Sequence, residues 1–88
     1  MSRLKPDNRR KWRVSAYAPG TTDLATYPLV HKASRNREIA QGHFDRLSAQ
    51  MGKGKIGRVV MHQGLLYRGY GSYIHHDTDW EKPREERQ

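Results

Sequence analysis

Cysteine is absent from the 88 residues. That excludes a disulfide framework and a thiolate nucleophile, and it suits a reducing cytoplasm. No apolar run approaches the roughly 20 residues of a membrane span. The first residues lack the apolar stretch of a signal peptide, so a soluble intracellular protein is expected. Hydrophobic residues make up only 34% of the chain, which leaves material for one thin core in one small domain. Carboxylates are also few: nine Asp and Glu face seventeen Lys and Arg, a formal net charge of +8.

That charge is unevenly spread. Residues 1–74 hold fourteen Lys/Arg and four Asp/Glu, a net of +10, while residues 75–88 hold three and five, a net of −2. A cationic body of this kind favours nucleic acid, DNA or RNA, an acidic protein surface or anionic lipid. Met1–Arg10 reads as a flexible basic arm, with Arg9 and Arg10 at its end. Residues 11–74 read as the folded domain. The charged stretch from His75 to Gln88 reads as a disordered tail whose one large apolar group is Trp80.

Within the domain, Lys11–Ala18 alternates Trp12, Val14, Ala16 and Ala18 with polar neighbours, the period of a half-buried strand. Pro19-Gly20-Thr21-Thr22-Asp23 is turn chemistry. Leu24–His31 reads as a second strand, at an edge or bulged because Pro28 cannot donate a ladder hydrogen bond. Ser34 suits a helix N-cap. Ala40, Phe44, Leu47 and Met51 recur at helical spacing across Arg35–Met51, leaving Arg35, Arg37, Glu38, Gln41, Asp45 and Arg46 as a solvated face. Gly52 is a stop signal.

Ile56–Tyr70 organises the rest. Val59–Met61 and Leu65–Tyr67 flank His62-Gln63-Gly64, which predicts a tight β-hairpin closed by a glycine at positive φ. That register pairs Met61 with Leu65, Val59 with Tyr67, Val60 with Leu66 and Arg58 with Arg68, whereas a two-residue turn at Gln63-Gly64 would shift it and separate the arginines. The order is β-β-α-β-β, an α+β fold: an antiparallel sheet of up to four strands with one helix on one face. Trp12, Val14, Phe44, Leu47, Val59, Met61 and Tyr67 form the expected core. The other face is expected to be open to solvent, with Arg13, Tyr17, Arg58, Arg68 and Tyr70 interleaving charge and aromatic rings, a surface suited to single-stranded nucleic acid.

Gly52-Lys53-Gly54-Lys55 supplies backbone N–H groups and two cations for phosphate, although its spacing is not that of a Walker A loop. Arg9, Arg10 and Lys11, with Lys53 and Lys55, are the expected phosphate contacts. His75-His76-Asp77-Thr78-Asp79 contains metal-type ligands. Adjacent histidines on an extended chain point apart and a disordered tail preorganises nothing, so no metal and no other cofactor is expected. The serines lie in no nucleophile motif and the four carboxylates of residues 1–74 form no evident catalytic pair, which argues against an enzyme.

Lys11-Trp12-Arg13-Val14-Ser15-Ala16-Tyr17-Ala18-Pro19-Gly20, followed by a strand and an amphipathic helix, resembles the N-terminal arm-binding domain of tyrosine recombinases over residues 11–51. That resemblance implies DNA binding through the sheet, with Arg13 on the binding surface. The chain departs from the family in having two strands, not three, before the helix and a further hairpin after it. In composition the chain is also similar to small bacteriophage accessory proteins: short, free of cysteine, rich in arginine, with a charged tail. That likeness implies an alternative role in the host cytoplasm, binding or inhibiting a host protein.

Overall fold

The computed structural model describes residues 11–68 and 72–80. Alternating Trp12, Val14 and Ala16 form strand β1 (Trp12–Tyr17), and β2 (Val30–Ser34) returns antiparallel to it. Helix α1 (Arg37–Ala49) follows, then β3 (Arg58–Gln63) and β4 (Tyr73–Asp79). The sheet is antiparallel throughout, in the order β2-β1-β3-β4. The expected α+β, ββαββ architecture is therefore present, with α1 packed on one face.

The helix-side core joins Val14, Ala16, Val59 and Met61 of the sheet to Ala40, Phe44, Met51 and Ile56, with Trp12, Val30 and Leu47 at its margin. Six of the seven expected core residues lie there. Tyr67 does not. Asn36, not Ser34, caps the helix: its Oδ1 accepts from the backbone N–H of Glu38 at 2.7 Å and of Ile39 at 3.3 Å. The Ser34 hydroxyl instead accepts from the Asn36 N–H at 3.0 Å, steering the chain into the cap.

Three expectations are overturned. The strand assigned to Leu24–His31 begins only at Val30, after Pro28. Residues 23–26 form a turn in which Asp23 accepts from the backbone N–H groups of Ala25 and Thr26. The tight hairpin at His62-Gln63-Gly64 is absent. Gly64 does take φ +95°, but the chain continues through Leu65 into a 3-10 turn at Leu66–Arg68 and pairs β3 with residues 73–79 instead. Arg58 consequently lies opposite Asp79, and the Arg58–Arg68 pair does not exist. Finally, the first five residues of the expected disordered tail, 75–79, are part of β4, the partner that β3 selects.

The β3–β4 register slips between Met61, opposite His76, and His62, opposite Ile74, leaving His75 as the extra residue of a β-bulge. The bulge turns two adjacent histidines toward the helix side. His75 stacks against Trp12 with ring centroids 4.5 Å apart, and His76 against Phe44 at 5.4 Å. The expectation that they point apart fails at this bulge. Among the described residues no three metal-type ligands converge.

Candidate nucleic-acid interface

The sheet face expected to be open is closed. Arg13 is 6% exposed and Tyr17 is 1% exposed, so neither offers the surface proposed for it. The β1–β2 connection and the segment after β3 fold over this face. The Tyr17 hydroxyl donates to the Leu24 carbonyl at 2.9 Å, and Tyr67 meets Tyr27 and His31 edge-on at 4.9 and 5.8 Å. Beneath them Ser15, Val60 and His62 are fully buried. Burial pushes the Arg13 pKa down and the Tyr17 pKa up.

Arg58 is also committed elsewhere. Its Nε donates to Asp77 Oδ1 at 3.0 Å and its Nη2 to Asp77 Oδ2 at 2.7 Å, a bidentate pair; Nη1 donates to the Thr21 carbonyl at 3.0 Å. The hydrogen bond to Asp77 raises the Arg58 pKa. Arg68 ends the 3-10 turn, away from any strand pairing with Arg58. Arg9, Arg10 and Tyr70 lie outside the described residues. Lys11 sits half-buried just before β1.

Lys53 and Lys55 are exposed, as expected, and the fold brings other cations to them. At 100° per residue, Ile39, His43, Arg46 and Gln50 form one flank of the helix. Lys32 shares the helix-side face of β2 with Val30, because the two lie opposite the core residues Val14 and Ala16. Lys32 and Arg46 both bear on His43. Arg46 Nη2 donates to His43 Nδ1 at 2.9 Å, and the His43 pKa is lowered by desolvation, then by the positive charges of Arg46 and Lys32.

One turn beyond Arg46, Gln50 lines a cleft of about 460 Å³ between the start of β2 and the end of the helix. Leu29, Val30 and Ile56 provide its apolar lining, and Lys53, Gly54 and Lys55 complete it. Lys32, Arg46, Lys53 and Lys55 thus follow one side of the molecule, along a helix segment of roughly 17 Å from Ile39 to Gln50. None of the four pairs with a carboxylate among the described residues. Asp77 and Asp79 sit on β4 at the opposite edge of the sheet, and Gln41 and Asp45, bonded at 3.1 Å, lie on the other side of the helix.

Trp80 closes the other side of the same loop. Its backbone N–H donates to the Gly57 carbonyl at 2.7 Å, and its indole lies so close on Gly52 that a Cβ there would overlap the ring. The residue as a whole remains 55% exposed. Reading the sequence alone missed Lys32 and Arg46 as members of the basic flank. The spacing of Ile39, His43 and Arg46 was visible, but which strand faces that flank is decided only by the sheet order. Trp80 is the one large apolar residue of the tail, and nothing in the sequence brings it onto Gly52.

No helix among the described residues is long and apolar enough to cross a membrane. Compared with protein-family models, curated proteins and solved structures, the chain matches none of them.

Proposed function

We propose that this chain is a small non-enzymatic nucleic-acid-binding module that holds a phosphate backbone along the β2–α1 flank. The observation that carries this reading is the line of Lys32, Arg46, Lys53 and Lys55 along a cleft with an apolar floor of Leu29, Val30 and Ile56, with no carboxylate of the described residues to neutralise it. Phosphates would meet the cations, and the cleft lined by Leu29, Val30 and Ile56 would take the less polar sugar and base. Arg9, Arg10 and Lys11 add charge at the sequence level. The Ser15–His62 pair is not a competing catalytic site, because both side chains are fully buried and no substrate reaches them. The composition, free of cysteine, suits work in a reducing cytoplasm.

The test is titration of the full chain against labelled single- and double-stranded oligonucleotides at about 50 and about 200 mM salt, where counterion release makes affinity fall steeply. The expected result is steep salt dependence and a large loss on combining Lys32→Gln, Arg46→Gln, Lys53→Gln and Lys55→Gln. Binding indifferent to both would refute the reading.

A second reading, a protein-interaction module of the phage accessory kind, draws on the edge strand β4, where Tyr73 and Ile74 are 74% and 49% exposed. Purification from nuclease-treated cells separates the two. One stoichiometric protein partner surviving nuclease favours this second reading.

A further inference from the structure

We propose that the strand bound is single-stranded and that Trp80 stacks on one of its bases beside the Gly52–Lys55 loop; this rests on the nucleic-acid reading above. An indole serves as a stacking platform only if one face is supported and the other is open. Gly52 supplies the support. With φ +80° and no side chain it lets the ring lie directly on backbone, where any Cβ would collide with Cζ3 and Cη2. The Trp80–Gly57 hydrogen bond at 2.7 Å anchors the backbone from which the ring projects onto Gly52. Trp80 as a whole remains 55% exposed, so the contact with Gly52 leaves much of the residue open to a ligand.

The position of the ring selects the ligand. Lys53 follows Gly52 directly and Lys55 lies two residues further, so two exposed cations belong to the loop that supports the ring. This is the combination that tracks a single strand: phosphates on the lysines, a base on the ring. In a duplex the bases are already stacked and present only their edges in the grooves, so Trp80 would gain no π-face there. A ligand offering only negative charge, such as polyphosphate or polyglutamate, would use the lysines and leave the indole idle.

The experiment measures binding of the full chain to a thymidine oligonucleotide of about 10 nucleotides, an abasic strand of equal length, a duplex of equal charge, and polyglutamate. Trp80→Leu and Trp80→Phe are compared with the parent. Emission is read in Trp12→Phe so that Trp80 alone reports. The expected result is quenching of Trp80 by the thymidine strand but not by the abasic one. Its affinity should exceed that for the abasic strand by about ten-fold, as one base–aromatic stack provides. Trp80→Leu should erase that ratio, Trp80→Phe should keep part of it, and the salt dependence should stay as in the parent.

If Trp80→Leu binds thymidine and abasic strands as the parent does, or the duplex binds as tightly as the single strand, the stacking inference is overturned. The nucleic-acid reading then stands on Lys53→Gln and Lys55→Gln. If polyglutamate binds as tightly as any oligonucleotide, or no oligonucleotide binds, both are overturned. Should Trp80→Leu fail to fold, the quenching in Trp12→Phe and the affinity ratio in Trp80→Phe decide the matter.

Discussion

Ser15 Oγ and His62 Nε2 lie 3.0 Å apart with both side chains fully buried. Burial, reinforced by the neighbouring His31 and Arg13, pushes the His62 pKa from 6.5 down to about 4. The folded protein therefore holds His62 neutral where the unfolded chain would protonate it. Its contribution to stability is fully present above pH 6.5 and is lost as pH falls from 6.5 toward 4. The loss amounts to about 3 kcal/mol by linkage. His31, also lowered by desolvation and then by Arg13, acts in the same direction. Urea denaturation at pH 7, 5.5 and 4 should show the midpoint falling across that window, and His62→Gln should flatten the dependence. A midpoint unchanged between pH 7 and 4 would contradict a neutral buried His62.

The bidentate Arg58–Asp77 pair stabilises β4 against β3 and ties in the β1–β2 loop through the Thr21 carbonyl. The two side chains are 15% and 29% exposed, so solvent still screens them. Arg58→Ala should cost about 1 kcal/mol, most of it shared with Asp77→Ala in a double-mutant cycle. Oligonucleotide affinity at constant salt should change little, because Arg58 is neutralised in place. A large affinity loss without a change in stability would return Arg58 to the binding surface.

Gly57 is held where a Cβ would overlap the Cα of Pro19. Backbone cannot move aside as a flexible side chain can. Gly57 also donates to the Tyr17 carbonyl at 2.8 Å and accepts from the Trp80 N–H at 2.7 Å. Gly57→Ala should therefore destabilise by about 2 kcal/mol or more and displace the end of β4. Thermal denaturation reads the first effect, and the emission of Trp80 in Trp12→Phe reads the second. Unchanged values for both would mean that the Pro19 turn yields freely.

If the four flank cations each meet one phosphate, the logarithm of affinity for a single strand should fall against the logarithm of salt concentration with a slope of about −3. Each single change to glutamine should make the slope shallower by about 0.7. Lys11→Gln, at the far end of the sheet, should change it less than Lys53→Gln does. Equal effects from every cation on the surface would replace a defined track with diffuse attraction.

Several elements were legible because their physics is local. Alternation marks β1, the spacing of Ala40, Phe44 and Leu47 marks the helix, and glycine at position 64 marks a positive φ. The failures share one cause. A glycine at positive φ permits a tight turn but does not enforce one, and β3 had two candidate partners. Residues 65–67 offered an apolar match. Residues 73–79 offered Asp77 for Arg58 and ring contacts for Trp12 and Phe44. The second choice also freed Leu65 to be buried and Tyr67 to pack on Tyr27 and His31, so both faces of the sheet are packed. That same choice buried Arg13 and Tyr17 and removed the surface expected of them. Asn36 and Ser34 both suit an N-cap, and only the path out of β2 decides between them.

By itself the sequence determined the element order, the helix-side core and the surplus of positive charge, because periodicity and composition act over a few residues. The tertiary structure alone decided where that charge is available. Sheet order set Lys32 beside Arg46 and the Lys53–Lys55 loop, strand pairing neutralised Arg58, and the end of β4 laid Trp80 on Gly52. Those are contacts between residues distant in the chain, and their free energies depend on which competing pairing buries more apolar surface and leaves fewer charges unpaired.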